Sequence, residues 1–152
     1  MATTTIKMPG TPAPWMNAAV RAMLRTPGLR GVLGKMFAII TVTGSKTGRR
    51  YSTPVQPLRH GDDWVVLSQR MRKWWRNVAV QPRVELLMQG KTIVGHAIVA
   101  EDEQAHSVLA DCLRDNPRVA KFYGIATAGT GRIDPADVTQ LLDRLVVIVI
   151  RT

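Results

Sequence analysis

Residues 38–68 read AIITVTGSKTGRRYSTPVQPLRHGDDWVVLS, and the rhythm of this stretch decides the class of fold. Residues 38–43 are apolar and β-branched, the make-up of a half-buried strand. Residues 44–50 place two glycines among polar and cationic side chains, and residues 51–59 resume an extended pattern. A hairpin with a long basic tip is predicted. His60-Gly61-Asp62-Asp63 supplies a second tight turn, because glycine accepts positive φ and aspartate bonds its own backbone. It leads into residues 64–68, so three consecutive antiparallel strands open a meander.

The remaining elements follow outward from this stretch. Residues 74–80 predict one or two helical turns that stop before Pro82, since proline disfavours helix in the residue before it. Residues 83–89 and 92–100 predict a further hairpin around Gly90-Lys91. Ala105, Val108, Leu109, Cys112 and Leu113 share one face of a helix beginning near Asp102, with Asp111 and Arg114 on its outer side. A second helical turn is expected over residues 117–123, and the glycine-bearing residues 124–132 read as a mobile loop. Asp134-Pro135 is a helix start, an N-cap followed by proline at the first helical position. Residues 145–150 are six consecutive apolar side chains, mostly β-branched, which predict a buried strand completing the sheet. The class is α+β, mainly β: a six-stranded antiparallel barrel with peripheral helices.

Toward the N-terminus, residues 1–13 are rich in Thr and Pro without periodicity and read as a flexible arm, leaving residues 14–152 as a single domain. Trp15, Ala19, Val20, Met23 and Leu24 fall on one helical face, and Asn17, Arg21 and Arg25 on a polar stripe. Leu29, Val32, Leu33, Met36 and Phe37 repeat the spacing, although Gly31 and Gly34 weaken a helix there by about 1 kcal/mol each. These amphipathic segments are expected to pack on the barrel. Their basic stripe is also a surface suited to peripheral contact with an anionic membrane.

A chain of 152 residues with 45% apolar content can bury a core without metal or disulfide staples. The single Cys112 forms no intrachain bridge, which fits a reducing, cytoplasmic compartment. No stretch approaches the roughly 20 apolar residues of a membrane-spanning helix. Twenty-one Lys and Arg against 11 Asp and Glu give a net charge of +10, a field that favours anionic partners.

Several chemistries are disfavoured. His60, His96 and His106 are widely separated and Cys112 has no neighbour at ligand spacing, so no metal site is expected. No Gly-x-Ser-x-Gly nucleophile elbow is present. Gly44-Ser45-Lys46-Thr47 fails as a phosphate loop, because Ser45 stands where glycine should precede the lysine.

Two basic segments remain. Lys46-Thr47-Gly48-Arg49-Arg50, with Ser52 and Thr53 beyond it, combines backbone amides that an anion can approach closely with cations and hydroxyls. Arg70, Arg72, Lys73 and Arg76 surround Trp74-Trp75, whose rings either complete the core or present a flat face to a planar ligand. Asn77 is the nearest uncharged group able to hydrogen-bond a ring carbonyl or a backbone turn. The same cations and rings would serve a nucleic-acid-binding module, or a non-catalytic barrel that binds a flavin-like or hydrophobic ligand.

The string Thr41-Val-Thr-Gly-Ser-Lys-Thr-Gly-Arg-Arg-Tyr-Ser-Thr-Pro54, followed by Leu58-Arg-His-Gly61 and by Trp74-Trp-Arg-Asn77 with Pro82, resembles the deazaflavin-dependent nitroreductase family over about residues 38–100. The resemblance implies a split β-barrel that binds coenzyme F420, a deazaflavin with an anionic phosphate and glutamate tail. It would set Ser45, Lys46 and Thr47 at the tail or phosphate, and Tyr51, Ser52, Thr53, Pro54, Val55 and Gln56 along the ring and linker. Leu67, Ser68, Gln69 and Arg70 would cradle the deazaflavin, with Lys73, Trp74, Trp75, Arg76 and Asn77 closing over it. The implied chemistry is hydride transfer from the reduced cofactor to an electron-poor small molecule: a quinone, an activated alkene or a nitroaromatic. Tyr123 is the candidate proton donor. The protein would act as a monomer or homodimer, with no nucleic acid as partner. Two departures stand out: Ser45 replaces the usual arginine of the turn, and the stretch between the third strand and the tryptophans is shorter. The resemblance implies that this stretch wraps the cofactor, so its shortening leaves FMN, FAD or no cofactor as alternatives.

Overall fold

The computed structural model describes residues 37–125 and 131–152, together with Ala18, Ala22, Arg25 and Thr26. The expected arm, the amphipathic segments before Phe37 apart from those four residues, and the centre of the glycine-bearing loop lie outside the described residues.

One antiparallel sheet contains β1 (Ala38–Thr43), β2 (Arg50–Val55), β3 (Pro57–His60), β4 (Asp63–Gln69), β5 (Arg83–Met88), β6 (Lys91–Val99) and β7 (Leu145–Arg151). Their spatial order is β2-β1-β5-β6-β7-β4-β3. The described helices are α1 (Trp75–Val80), α2 (Asp102–Asp115), α3 (Pro117–Phe122) and α4 (Pro135–Leu142).

Seven strands replace the expected six because the run from residue 51 to 59 is two strands rather than one. Its first part pairs with β1, ending at Ala38↔Val55, and its second part pairs with β4, beginning at Pro57↔Val66. Gln56 is the changeover. Pro57 has no N–H to offer a ladder and holds the preceding residue in extended conformation, so the chain leaves one partner and joins another. Because β2 and β3 occupy opposite edges of the sheet yet follow one another in the chain, the sheet must curl until those edges meet. That curl is the barrel.

β7 is not at the margin of the sheet but between β6 and β4, in register Ala97↔Ile150 and Val65↔Val149. Both of its faces are covered. Leu145, Val147 and Val149 join the cluster made with α2, α3 and α4, while Val146, Ile148 and Ile150 join Ala38, Ile40, Val42, Val66, Leu86 and Ala97 on the other side. A strand buried on both faces has no solvent side to keep polar, which accounts for its unbroken apolar run. Each such side chain contributes roughly 1.5–3 kcal/mol by leaving water.

The expected faces and caps are present. Ala105, Val108, Leu109, Cys112 and Leu113 of α2 are buried, and Asp134 Oδ1 accepts from the N–H of Ala136 at 2.9 Å to cap α4. The β5–β6 hairpin turns one residue earlier than expected, at Gln89 and Gly90, which both have positive φ (49° and 78°). Such a pair matches the twist of two adjoining antiparallel strands.

Candidate active site

The β1–β2 tip folds back on itself. The N–H of Gly44 donates to Arg49 O at 2.6 Å, the N–H of Gly48 donates to Gly44 O at 3.0 Å, and Thr47 Oγ1 accepts from the N–H of Arg49 at 3.3 Å. A Cβ on Gly44 would lie 2.8 Å from the Tyr51 ring and 3.2 Å from Arg49 O, so a side chain there would disturb the tip. The closed backbone leaves the side chains of Ser45, Lys46 and Thr47 exposed.

The second basic segment is fixed where β4 ends. Arg70 donates through its N–H to Arg144 O at 2.8 Å and through Nη2 to Leu142 O at 2.9 Å and Leu145 O at 3.1 Å. Trp75 Nε1 donates to Arg70 O at 3.2 Å, and the Arg76 guanidinium lies 5.6 Å from the Trp75 ring centroid. Two hydrogen bonds then join the segments: the N–H of Ser45 donates to Asn77 Oδ1, and Arg72 Nη2 donates to Thr53 Oγ1, both at 3.0 Å. Asn77 therefore serves a backbone turn.

Between the two segments lies a cleft of about 660 Å³, lined by Gly44, Ser45, Lys46, Thr47, Tyr51, Ser52, Thr53, Arg72, Lys73, Trp74, Arg76 and Asn77. Among the described residues, four cations and no carboxylate line it. The ion pairs among the described residues lie elsewhere: Arg50 with Glu85 at 2.5 Å, Arg83 with Glu85 at 3.4 Å, Arg114 with Asp111 and Asp115 at 3.1 and 3.2 Å, and Arg151 with Asp63 at 3.9 Å, while Asp111 is also hydrogen-bonded to His60 Nε2 at 3.0 Å. Arg50, part of the basic tip, is thus engaged across the sheet and holds the Glu85 carboxyl below its ordinary range. Partial burial lowers the pKa of Arg72. Trp74 packs against the inner core while its buried indole N–H has no acceptor among the described residues.

A second cavity, of about 330 Å³, is lined by Phe37, Gln56, Leu58, Leu67, Arg118, Val119, Phe122 and Tyr123. It shares no lining residue with the cleft. Tyr123 is 8% exposed, burial raises its phenol pKa, and Phe122 meets it edge-on with centroids 5.2 Å apart.

The structure thus gathers ten of the expected residues at the cleft: Ser45, Lys46, Thr47, Tyr51, Ser52, Thr53, Lys73, Trp74, Arg76 and Asn77. It sets Gln56, Leu67 and Tyr123 in the second cavity. Pro54 and Val55 continue β2, with Val55 in the core; Ser68 is buried, its hydroxyl donating to Gln69 O at 3.3 Å. Arg70 and Trp75 face a different hollow, against α4 and β7. Gly44 and Arg72 line the cleft without having been among the residues that the resemblance carried over. Arg72 had only its place in the cationic run as a signal, and a short irregular turn has no periodicity to show which of its cations faces inward.

The profile of the F420H(2)-dependent quinone reductase family matches residues 15–135. The chain belongs to this family. It is an F420-dependent oxidoreductase with coenzyme F420 as its cofactor. Solved structures share the fold. An F420-H2-dependent reductase, FDR-A, is 18% identical, with 76% of this chain and 94% of that one covered at a TM-score of 0.50. The heme storage protein HutZ of Vibrio cholerae is 13% identical, with 84% and 89% covered at 0.53. A NimC/NimA family protein of Clostridium acetobutylicum is 12% identical, with 85% and 79% covered at 0.53. The cleft's donors suit the coenzyme: four cations without an acid for its anionic arm, and a buried indole N–H without an acceptor beside them. Among the described residues no helix is long and apolar enough to cross a membrane.

Proposed function

We propose that the protein catalyses hydride transfer from the reduced deazaflavin to an electron-poor acceptor, with quinones preferred and activated alkenes and nitroaromatics as further members of the class. The observation that carries this reading is the meeting of two basic segments, distant in sequence, around one acid-free cleft. Ser45, Lys46, Thr47, Lys73 and Arg76 hold the anionic arm. Tyr51, Ser52, Thr53 and Trp74, which line the cleft, face the ring and its linker, with Gln56 beyond them at the second cavity. The deazaflavin, when bound, supplies the hydride chemistry.

The residues of this chain do the rest. Thr53 lines the cleft and Gln56 the second cavity, so β2 leads from one to the other over three residues, about 10 Å of extended chain. Leu58, Leu67, Val119 and Phe122 give the second cavity apolar walls that favour a planar apolar acceptor and exclude water. Burial holds the Tyr123 phenol above its ordinary pKa, so it stays protonated and donates a hydrogen bond to an acceptor oxygen there, with the proton that completes the reduction drawn from solvent. The test is reoxidation of the reduced deazaflavin, followed by absorbance against a panel of quinones, enones and nitroaromatics. Quinones should turn over fastest; reoxidation no faster with protein than without it would refute the reading.

A further inference from the structure

The turn between β4 and α1 carries a cation whose surroundings call for an anion. Arg72 is partly buried, and among the described residues its side chain has one hydrogen bond, from Nη2 to Thr53 Oγ1 at 3.0 Å. A guanidinium offers five N–H donors in a rigid fork. A neutral hydroxyl answers one of them, and no carboxylate lines the cleft to answer the others. A partly desolvated charge left this way is costly unless an anion completes its shell. Arg70, two residues earlier, differs: backbone carbonyls of residues 142 and 145 accept from its guanidinium.

We propose that Arg72, steadied by Thr53, recognises the phosphodiester of the coenzyme. The inference rests on the function proposed above. Position along β2 selects the phosphate over the glutamate tail. Thr53 lies between the tip that bears Ser45, Lys46 and Thr47 and the Gln56 end that meets the second cavity. In the coenzyme the phosphate likewise lies between tail and ring. The planar fork also matches a phosphate's paired oxygens in a way that an ammonium does not.

Binding tests this without turnover. Wild type, Arg72→Gln, Arg72→Lys and Thr53→Val are titrated by fluorescence with three probes: the oxidised coenzyme, its form without glutamates, and the ribityl deazaflavin without phosphate or tail. Arg72→Gln should raise Kd for both phosphate-bearing probes about 10- to 100-fold and leave the ribityl deazaflavin within about twofold, which also shows that the variant is folded. Arg72→Lys, the milder substitution, should lie between wild type and Gln, and Thr53→Val should weaken the phosphate-bearing probes severalfold. Lys91→Gln, at the start of β6 and outside the cleft lining, should change nothing. A penalty confined to the glutamate-bearing probe, one equal for the ribityl deazaflavin, or none in either Arg72 variant would overturn the assignment. Wild type that binds none of the three probes would instead sink the functional reading itself.

Discussion

The cleft and the second cavity flank the same β2–β3 run and are built in opposite ways. The cleft is made of a hairpin tip and a turn, held in place by single hydrogen bonds such as Ser45 to Asn77 and Arg72 to Thr53. Most of its side chains are at least partly exposed. The cavity is cut into the helix-covered core, with Leu58 and Tyr123 buried in the cluster that contains Leu109, Leu113 and Leu141. A site made from loops is free to collect like charges, because water screens them until a ligand arrives. A site made from core is restricted to apolar walls and a protected phenol. Changes at the cleft should therefore register mainly in binding, and changes behind the cavity mainly in stability.

The largest effect should come from the core side. Leu113→Ala removes a fully buried side chain of the core cluster that holds Leu58 and Tyr123 and should cost about 2–5 kcal/mol in chemical denaturation. A cost below about 1 kcal/mol would mean that this wall is looser than the contrast requires. Asn77→Ala tests the cleft side. Loss of the acceptor for the Ser45 N–H should weaken coenzyme binding by about 1 kcal/mol, close to fivefold, by titration. Unchanged affinity would show that the tip needs no such clasp.

The smallest effect concerns pH. The Asp111 carboxyl of α2 is held below its ordinary range, first by its hydrogen bond with His60 of β3 and then by Arg114. A depressed carboxyl contributes stability that is present above its unfolded pKa of about 4 and is lost as pH falls through the lower folded value. Asp111→Asn should therefore flatten the acid side of the stability curve below about pH 4 while leaving coenzyme affinity at neutral pH unchanged. Parallel acid-side curves for the two proteins would remove this tie between α2 and β3 from the account.

Much of this was legible from residue patterns, and the rest depended on partners that patterns do not encode. The apolar run at residues 145–150 showed a buried strand, but its central place between β6 and β4 is a matter of pairing over long separations. The extended run after the basic tip was visible, whereas its division at Gln56 followed from two different neighbours competing for one strand. Both basic segments stood out by composition, and the structure brought them to one cleft. Composition did not separate Arg70, engaged by carbonyls, from Arg72, which faces the cleft two residues later. Tyr123 was singled out beside the glycine-bearing loop; the fold gives it a cavity apart from the cations.

The central claim is that the acid-free cleft binds the anionic arm of the deazaflavin coenzyme. The measurement that tests it most directly is a fluorescence titration of wild type and Lys46→Ala/Lys73→Ala with the oxidised coenzyme at low and moderate salt. The account predicts saturable binding by wild type, weakened about 10- to 100-fold in the double variant with stability changed by no more than about 0.5 kcal/mol. Binding that is absent from wild type, or equally tight in the double variant, would contradict it.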